Sequence, residues 1–243
     1  MRNFTHEFFE NLNKFMQENS LYISNTPESF SVMGYYKEFP RLLPKFTAQN
    51  NSNIGDIPRL WSFVLNCNQV LDEGVEGDLA EVGVYRGNTS SILAYYASIT
   101  GRKLYMFDTF SGFDKKDLVD LDADKSVMFK DTSIDIVKSV IGEYFDYCEV
   151  VKGYFPDSVT SLHEGKKYSL VSLDSDVYES TKAGLEFFYP RLSIGGVLFL
   201  HDYSTRYWIG CKKAIDDFCS EHKEYLALMP DKYGSAILRK THE

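Results

Sequence analysis

The sequence predicts an α/β protein: a doubly wound, seven-stranded, mostly parallel sheet with an N-terminal helical cap. Three observations carry this. From residue 78 onward, apolar runs alternate with amphipathic stretches of helical length. That is the pattern of parallel strands joined by helices. The apolar runs mostly lack the polar alternation of a half-exposed strand, so they suit strands covered on both faces. The last two runs, 225–229 and 235–239, are separated only by Pro230 to Gly234. Parallel strands need a longer crossover, so this pair is an antiparallel hairpin, with one antiparallel strand near a sheet edge.

Each element has a local reason. Phe8, Phe9, Leu12, Phe15 and Met16 share one face of a helix over 5–18, a stripe suited to core packing or to pairing two subunits. Residues 20–55 carry Pro27, Pro40 and Pro44 among many aromatics, Tyr35 and Tyr36 included. They read as pieces of a cap spanning 1–55, ahead of a main domain over 56–243. Asp56 is placed to cap a helix that runs to about Asp72, with Pro58 in its first turn and Gly74 and Gly77 beyond its end. Strands are expected at 78–84, 103–107, 147–151, 168–173, 196–200, 225–229 and 235–239. Helices are expected near 89–99, 133–143, 156–163, 177–189 and 209–222. The acidic connection 110–131 reads as a mobile, solvated flap. Asp120, Asp122 and Asp124 imitate the start of a calcium loop, but Lys125 stands where glycine is needed and Asp131 where glutamate is needed.

Composition narrows the class. A net charge of −9 over 243 residues argues against a general nucleic-acid binder. No apolar run approaches the roughly 20 residues of a membrane span. Met1 to His6 leads into no apolar segment of a signal peptide, so a cytoplasmic protein is expected. Cys67, Cys148, Cys211 and Cys219 have neither zinc-type nor disulfide-rich spacing. Three of them lie among apolar neighbours and read as reduced core residues.

Open parallel sheets bind ligands at the C-terminal ends of their strands. The first strand ends in Gly83-x-x-x-Gly87, ahead of a helix starting at Asn88 to Ser90. Glycine permits close backbone approach and a helix N-terminus offers unpaired N–H groups. The spacing differs from the Gly-x-Gly-x-x-Gly of dinucleotide enzymes. Glu81, inside an apolar strand, calls for a cationic partner from the protein or a ligand. The second strand delivers Asp108, placed to accept hydrogen bonds from a ribose diol. The third ends at Gly153-Tyr154-Phe155, aromatics that either flank an adenine or pack on the next helix. The fourth delivers Asp174-Ser175-Asp176 and the fifth His201-Asp202-Tyr203. Asp174, His201 and Asp202 then share a crevice. Either they bind a divalent metal, or Asp176 caps the next helix, Asp202 caps a turn and His201 is a hydrogen-bonded core histidine.

Several segments together resemble the macrocin O-methyltransferase family over about residues 56–222. They are Glu-Val-Gly-Val-Tyr-Arg-Gly (81–87), Phe-Asp-Thr-Phe-Ser-Gly-Phe (107–113) and Leu-Asp-Ser-Asp-Val-Tyr-Glu-Ser-Thr (173–181). Tyr-Pro-Arg-Leu-Ser-Ile-Gly-Gly (189–196), His-Asp-Tyr (201–203) and the stretch Gly210 to Phe218 complete the set. The resemblance implies a class I methyltransferase fold and S-adenosylmethionine-dependent methylation of a hydroxyl on a sugar or glycosylated small molecule. It implies that Glu81 lies near the methionine amino group, and that Gly83, Val84, Tyr85, Thr89 and Ser90 lie along the cofactor. Asp108, Thr109 and Phe110 would then hold the ribose, and Gly153 and Tyr154 would lie near adenine. Asp174 would border the cofactor and, with His201 and Asp202, bind metal. Asp174 or His201 would take the proton, and Tyr178 and Tyr203 would touch the acceptor. One position departs from the family pattern: His201 stands where the first of two acids is expected. Magnesium prefers oxygen ligands, whereas imidazole suits manganese, iron, nickel or zinc. The cofactors implied are therefore S-adenosylmethionine and a divalent metal, magnesium or, because of His201, manganese or another, unless His201 acts as a base or the metal is not needed. Competing readings are a nicotinamide oxidoreductase, disfavoured by the glycine spacing, a degenerate cofactor-binding or scaffold protein, and a methyltransferase of phenolic diols.

Overall fold

The computed structural model describes residues 38–48, 50 and 53–242, together with Asn11 and Lys14. The helix expected over 5–18 and most of the cap, Tyr35 and Tyr36 included, otherwise lie outside the described residues.

The strands are β1 (Asp78–Val82), β2 (Leu104–Asp108), β3 (Cys148–Lys152), β4 (Tyr168–Leu173), β5 (Leu192–Leu200), β6 (Ala227–Leu228) and β7 (Ala236–Arg239). They form one sheet in the order β3-β2-β1-β4-β5-β7-β6. β7 runs antiparallel to both neighbours, β5 and β6, and the pairings among the first five strands are parallel. The chain begins at the centre and winds outward twice, so β1 and β4 are adjacent and the crevice for a ligand opens between them.

Alternation along each strand divides the core in two. Leu79, Leu104, Met106, Leu170, Val197 and Phe199 face one layer. That layer holds α1 (Phe39–Phe46), α2 (Ile57–Asp72), α3 (Asn88–Thr100) and α4 (Ile134–Ile141). Ala80, Val82, Phe107, Val171, Leu198 and Leu200 face the other. It is covered by α6 (Tyr178–Phe188) and α7 (Ile209–His222), with the single turn α5 (Ser161–Glu164) beside Phe107. No described helix is long and apolar enough to cross a membrane.

Several boundaries differ from the sequence reading. The helix expected over 156–163 is only α5: Thr160 and His163 form a capping box that starts the turn at Ser161. The helix expected to 143 stops at Ile141, because Gly142 adopts φ +65° and the chain tightens into a 3-10 stretch to Tyr147. β5 begins at Leu192 rather than 196, since Gly195 at φ +84° bends the strand while its N–H still reaches Lys240 O at 2.7 Å. β6 keeps two residues, both exposed, as suits an edge strand. Asp56 sits at the N-cap of α2 without capping it; its Oδ1 accepts the Lys232 N–H at 3.1 Å.

The connection 110–131 is docked rather than solvated. Asp117 accepts the Tyr154 hydroxyl at 2.6 Å and the Ser180 hydroxyl at 2.5 Å. Asp122, fully buried, accepts the first N–H of α6 from Tyr178 at 2.8 Å. Two of the acids that read as flap charge are thus the pegs that hold it down.

Candidate active site

A cavity of about 370 Å³ opens where the C-terminal ends of β1, β2, β3, β4 and β5 meet. Gly83, Val84, Tyr85, Thr89, Asp108, Thr109, Gly153, Tyr154, Asp174, His201 and Asp202 all line it, as the sequence suggested. Five of the other suggested residues do not.

Glu81 and Ser90 lie beneath the floor. Glu81 is 1% exposed and accepts the Ser90 hydroxyl, with Ser172 beside it on β4. Its partners are hydroxyls, and the cation expected for it acts only from a distance, as Arg59. Burial dominates and raises the Glu81 carboxyl to about 8. Phe110 packs against the α1–α4 core layer instead of the cavity. Tyr178 and Tyr203 turn toward α7, where their hydroxyls donate to Asp217 at 3.1 Å and Asp216 at 2.8 Å. Tyr207, Trp208 and Tyr233 line the cavity in their place.

The β1–β3 end is a backbone cradle. Asp108 Oδ2 accepts the N–H groups of Val84 at 2.8 Å and Tyr85 at 2.9 Å, and Oδ1 accepts that of Phe110 at 2.7 Å. Burial raises this carboxyl despite those bonds. Gly83, at φ +85°, lies so close to β4 that an added Cβ would stand 1.9 Å from the Asp174 carbonyl oxygen. The glycine is therefore needed for strand packing as well as for ligand approach. Phe155 packs on Phe107 and Phe188, and Tyr154 spends its hydroxyl on Asp117, yet both keep a face on the cavity.

The β4–β5 end is a network of charged side chains. Asp174 Oδ2 accepts Arg59 Nη2 at 2.7 Å, and Asp174 Oδ1 lies 2.8 Å from His201 Nδ1. The same nitrogen lies 2.7 Å from Asp202 Oδ2. Burial and Arg59 oppose charge on His201, but Asp174 and Asp202 outweigh them and raise it to about 9. Burial would raise Asp174, but His201 and Arg59 hold it well below the usual carboxylate range. Asp176 behaves oppositely: burial, then Asp202 and Asp174, push it well above that range.

Asp174, His201 and Asp202 offer ligand atoms within 4.8 Å of one another, which by spacing alone suits a cation. The donor chemistry does not. Carboxylates only accept hydrogen bonds, so the His201 nitrogen between two of them carries a proton and has no lone pair for a metal. Both Asp174 oxygens are already engaged. As the side chains stand, the three groups are bonded to one another and to Arg59.

Sequence reasoning missed Arg59, Asp176 as a lining acid, and the wall of Phe113, Phe129, Tyr207 and Trp208. Arg59 gave one signal, a cation in the otherwise apolar run Ile57 to Trp61. It is 5% exposed, and a buried cation needs a partner, but nothing in the chain's order says that the partner is Asp174.

Over 225 residues the chain is 26% identical to a tetracenomycin rhamnosyl 4'-O-methyltransferase of Streptomyces olivaceus, covering 87% of this chain and 84% of that protein. It is 28% identical to the mycinamicin III 3''-O-methyltransferase of Micromonospora griseorubida, covering 63% of this chain and 64% of that protein. Among solved structures, the O-methyltransferase NovP superposes with a TM-score of 0.65 at 24% identity, covering 76% of this chain and 81% of that one. The calicheamicin methyltransferase CalS11 gives 0.63 at 23% identity, covering 90% and 95%; both establish the fold. The family model for macrocin-O-methyltransferase matches residues 45–229, the span that builds both ends of the cavity, and the chain belongs to that methyltransferase family.

Proposed function

We propose that the protein moves a methyl group from S-adenosylmethionine to a hydroxyl of a neutral, sugar-bearing acceptor. The carrying observation is the two-ended cavity, with a backbone cradle at one end and acids facing aromatic rings at the other. Its volume is of the order a cofactor-sized ligand needs. The sugar-directed relatives support the acceptor class. Charge supports its neutrality: the lining carries six aspartates against Arg59 and His201, a poor home for a phosphate. Four unpaired cysteines among the described residues fit a reducing, cytoplasmic setting.

When bound, the cofactor supplies an electrophilic methyl group. The chain's residues must orient the acceptor hydroxyl and remove its proton. Asp108 and the Gly83 loop hold the ribose side. Trp208 and Tyr207 give a sugar ring flat apolar surface to lie against and exclude water from the reacting end. Asp176 takes the proton. It lines the cavity; burial and the neighbouring Asp202 and Asp174 favour its protonated form, so it must first give up that proton to solvent, and the carboxylate so formed then accepts the proton of the acceptor hydroxyl. Asp174 and His201, the bases suggested by the sequence, are engaged with each other and with Arg59 and Asp202. Their part is to hold the acid cluster in place.

Calorimetric titration with S-adenosylhomocysteine, followed by mass spectrometry of a rhamnosyl glycoside incubated with S-adenosylmethionine, tests the reading. Micromolar binding and a gain of one methyl are expected. A folded protein that does not bind S-adenosylhomocysteine overturns it.

A further inference from the structure

We propose that in this chain the protein's own donors, the His201 ring N–H and the Arg59 guanidinium, stand where a divalent metal would sit among the acids at the ends of β4 and β5, so the site works without one. The inference rests on reading this cluster as the acceptor end of the methyltransferase cavity.

The argument is geometric. His201 Nδ1 lies 2.8 Å from Asp174 Oδ1 and 2.7 Å from Asp202 Oδ2, which makes it a shared donor to both strand ends. Its second ring nitrogen, Nε2, is buried and takes no hydrogen-bond partner among the described residues. Arg59 fills the remaining Asp174 oxygen at 2.7 Å from inside the fold, where it is itself 5% exposed. Both Asp174 oxygens and one Asp202 oxygen are thus taken by side-chain donors. A dication entering here would have to displace the His201 proton and take Asp174 from Arg59. That would leave a guanidinium buried without its partner, a costly state. It would also stand within a few ångströms of that guanidinium's like charge. His201 is the residue that decides the matter, because an oxygen ligand at this position would supply the hard donor a divalent ion prefers and remove one of the two competing donors.

Binding of Mn²⁺ to the full chain, followed by the loss of the free-ion electron paramagnetic resonance signal, tests this beside His201→Asp and the closer-sized His201→Asn. The expected result is no binding by the unsubstituted protein up to millimolar Mn²⁺, and at least roughly tenfold tighter binding by His201→Asp. Micromolar Mn²⁺ binding by the unsubstituted protein overturns the proposal. So does the absence of any gain in whichever of the two variants remains folded by circular dichroism. If neither folds, the unsubstituted protein's titration decides. S-adenosylhomocysteine titration in metal-free buffer is run on the same sample. Failure there removes the methyltransferase reading and leaves the metal result standing separately.

Discussion

The two ends of the cavity are made of different material. At the β1–β3 end the ligand meets backbone: glycine turns, a helix N-terminus, and an aspartate whose oxygens already organise three N–H groups. At the β4–β5 end it meets side chains drawn from α2, β4, β5 and the loops after them. The second end is a chain of charge contacts, Arg59–Asp174–His201–Asp202, in which each member is placed by the next. Binding of the invariant part of the chemistry can rest on main chain, while proton handling requires specific groups with shifted acidity.

Asp176→Asn should break the comparison most sharply. Turnover is expected to fall by about 10²–10⁴-fold, while S-adenosylhomocysteine affinity stays within a few-fold; unchanged turnover would remove Asp176 as the base. Arg59→Ala comes next. Removing one partner of a buried ion pair costs about 3–5 kcal/mol, visible as a lower urea midpoint, and the loss should be small if the acceptor end is not held by this network. Gly83→Ala probes the seam between the ends. Its Cβ would meet the Asp174 carbonyl, at a backbone φ of +85°, for an expected cost of about 1–3 kcal/mol and weaker S-adenosylhomocysteine binding by calorimetry.

Glu81→Gln gives the most pH-specific effect. The folded carboxyl is raised to about 8 by burial, so folding favours its protonated form. That contribution is complete below the unfolded pKa of about 4.3 and is lost as pH rises through about 8. The glutamine variant mimics the protonated state. It should melt with the parent protein at pH 4 and about 2–4 °C above it at pH 8 for each kcal/mol relieved. Equal melting at both pH values would mean that Glu81 is charged in the fold.

This contrast also explains what the sequence disclosed. Gly83, Gly87 and Asp108 announce a backbone cradle because glycine at a strand end has few other uses, and the hairpin at β6–β7 follows from the short connection between its strands. His201 could be seen as a departure, but its meaning could not, since that depends on Arg59 arriving from a helix more than a hundred residues earlier. Tyr178 and Tyr203 misled for the same reason. Proximity in sequence to Asp176 and Asp202 says nothing about which side of the backbone a ring takes, and α7 claims both hydroxyls. Asp117 and Asp122 read as surface charge because only the folded chain shows the hydroxyls and the helix end they fasten.

At four strand ends the chain places non-glycine residues in the left-handed region: Tyr85, Phe110, Asp176 and Asp202, at φ +48°, +53°, +64° and +58°. Glycine would be more relaxed at each position. An engineer seeking thermal robustness by relieving backbone strain would choose glycine at these sites first. At Asp176 and Asp202 that choice would erase two carboxyls from the acceptor end and yield a hardier protein with a blank site. Selection for durability and selection for turnover therefore pull in opposite directions at these two positions, and a library screened on melting temperature alone would drift toward inactive clones.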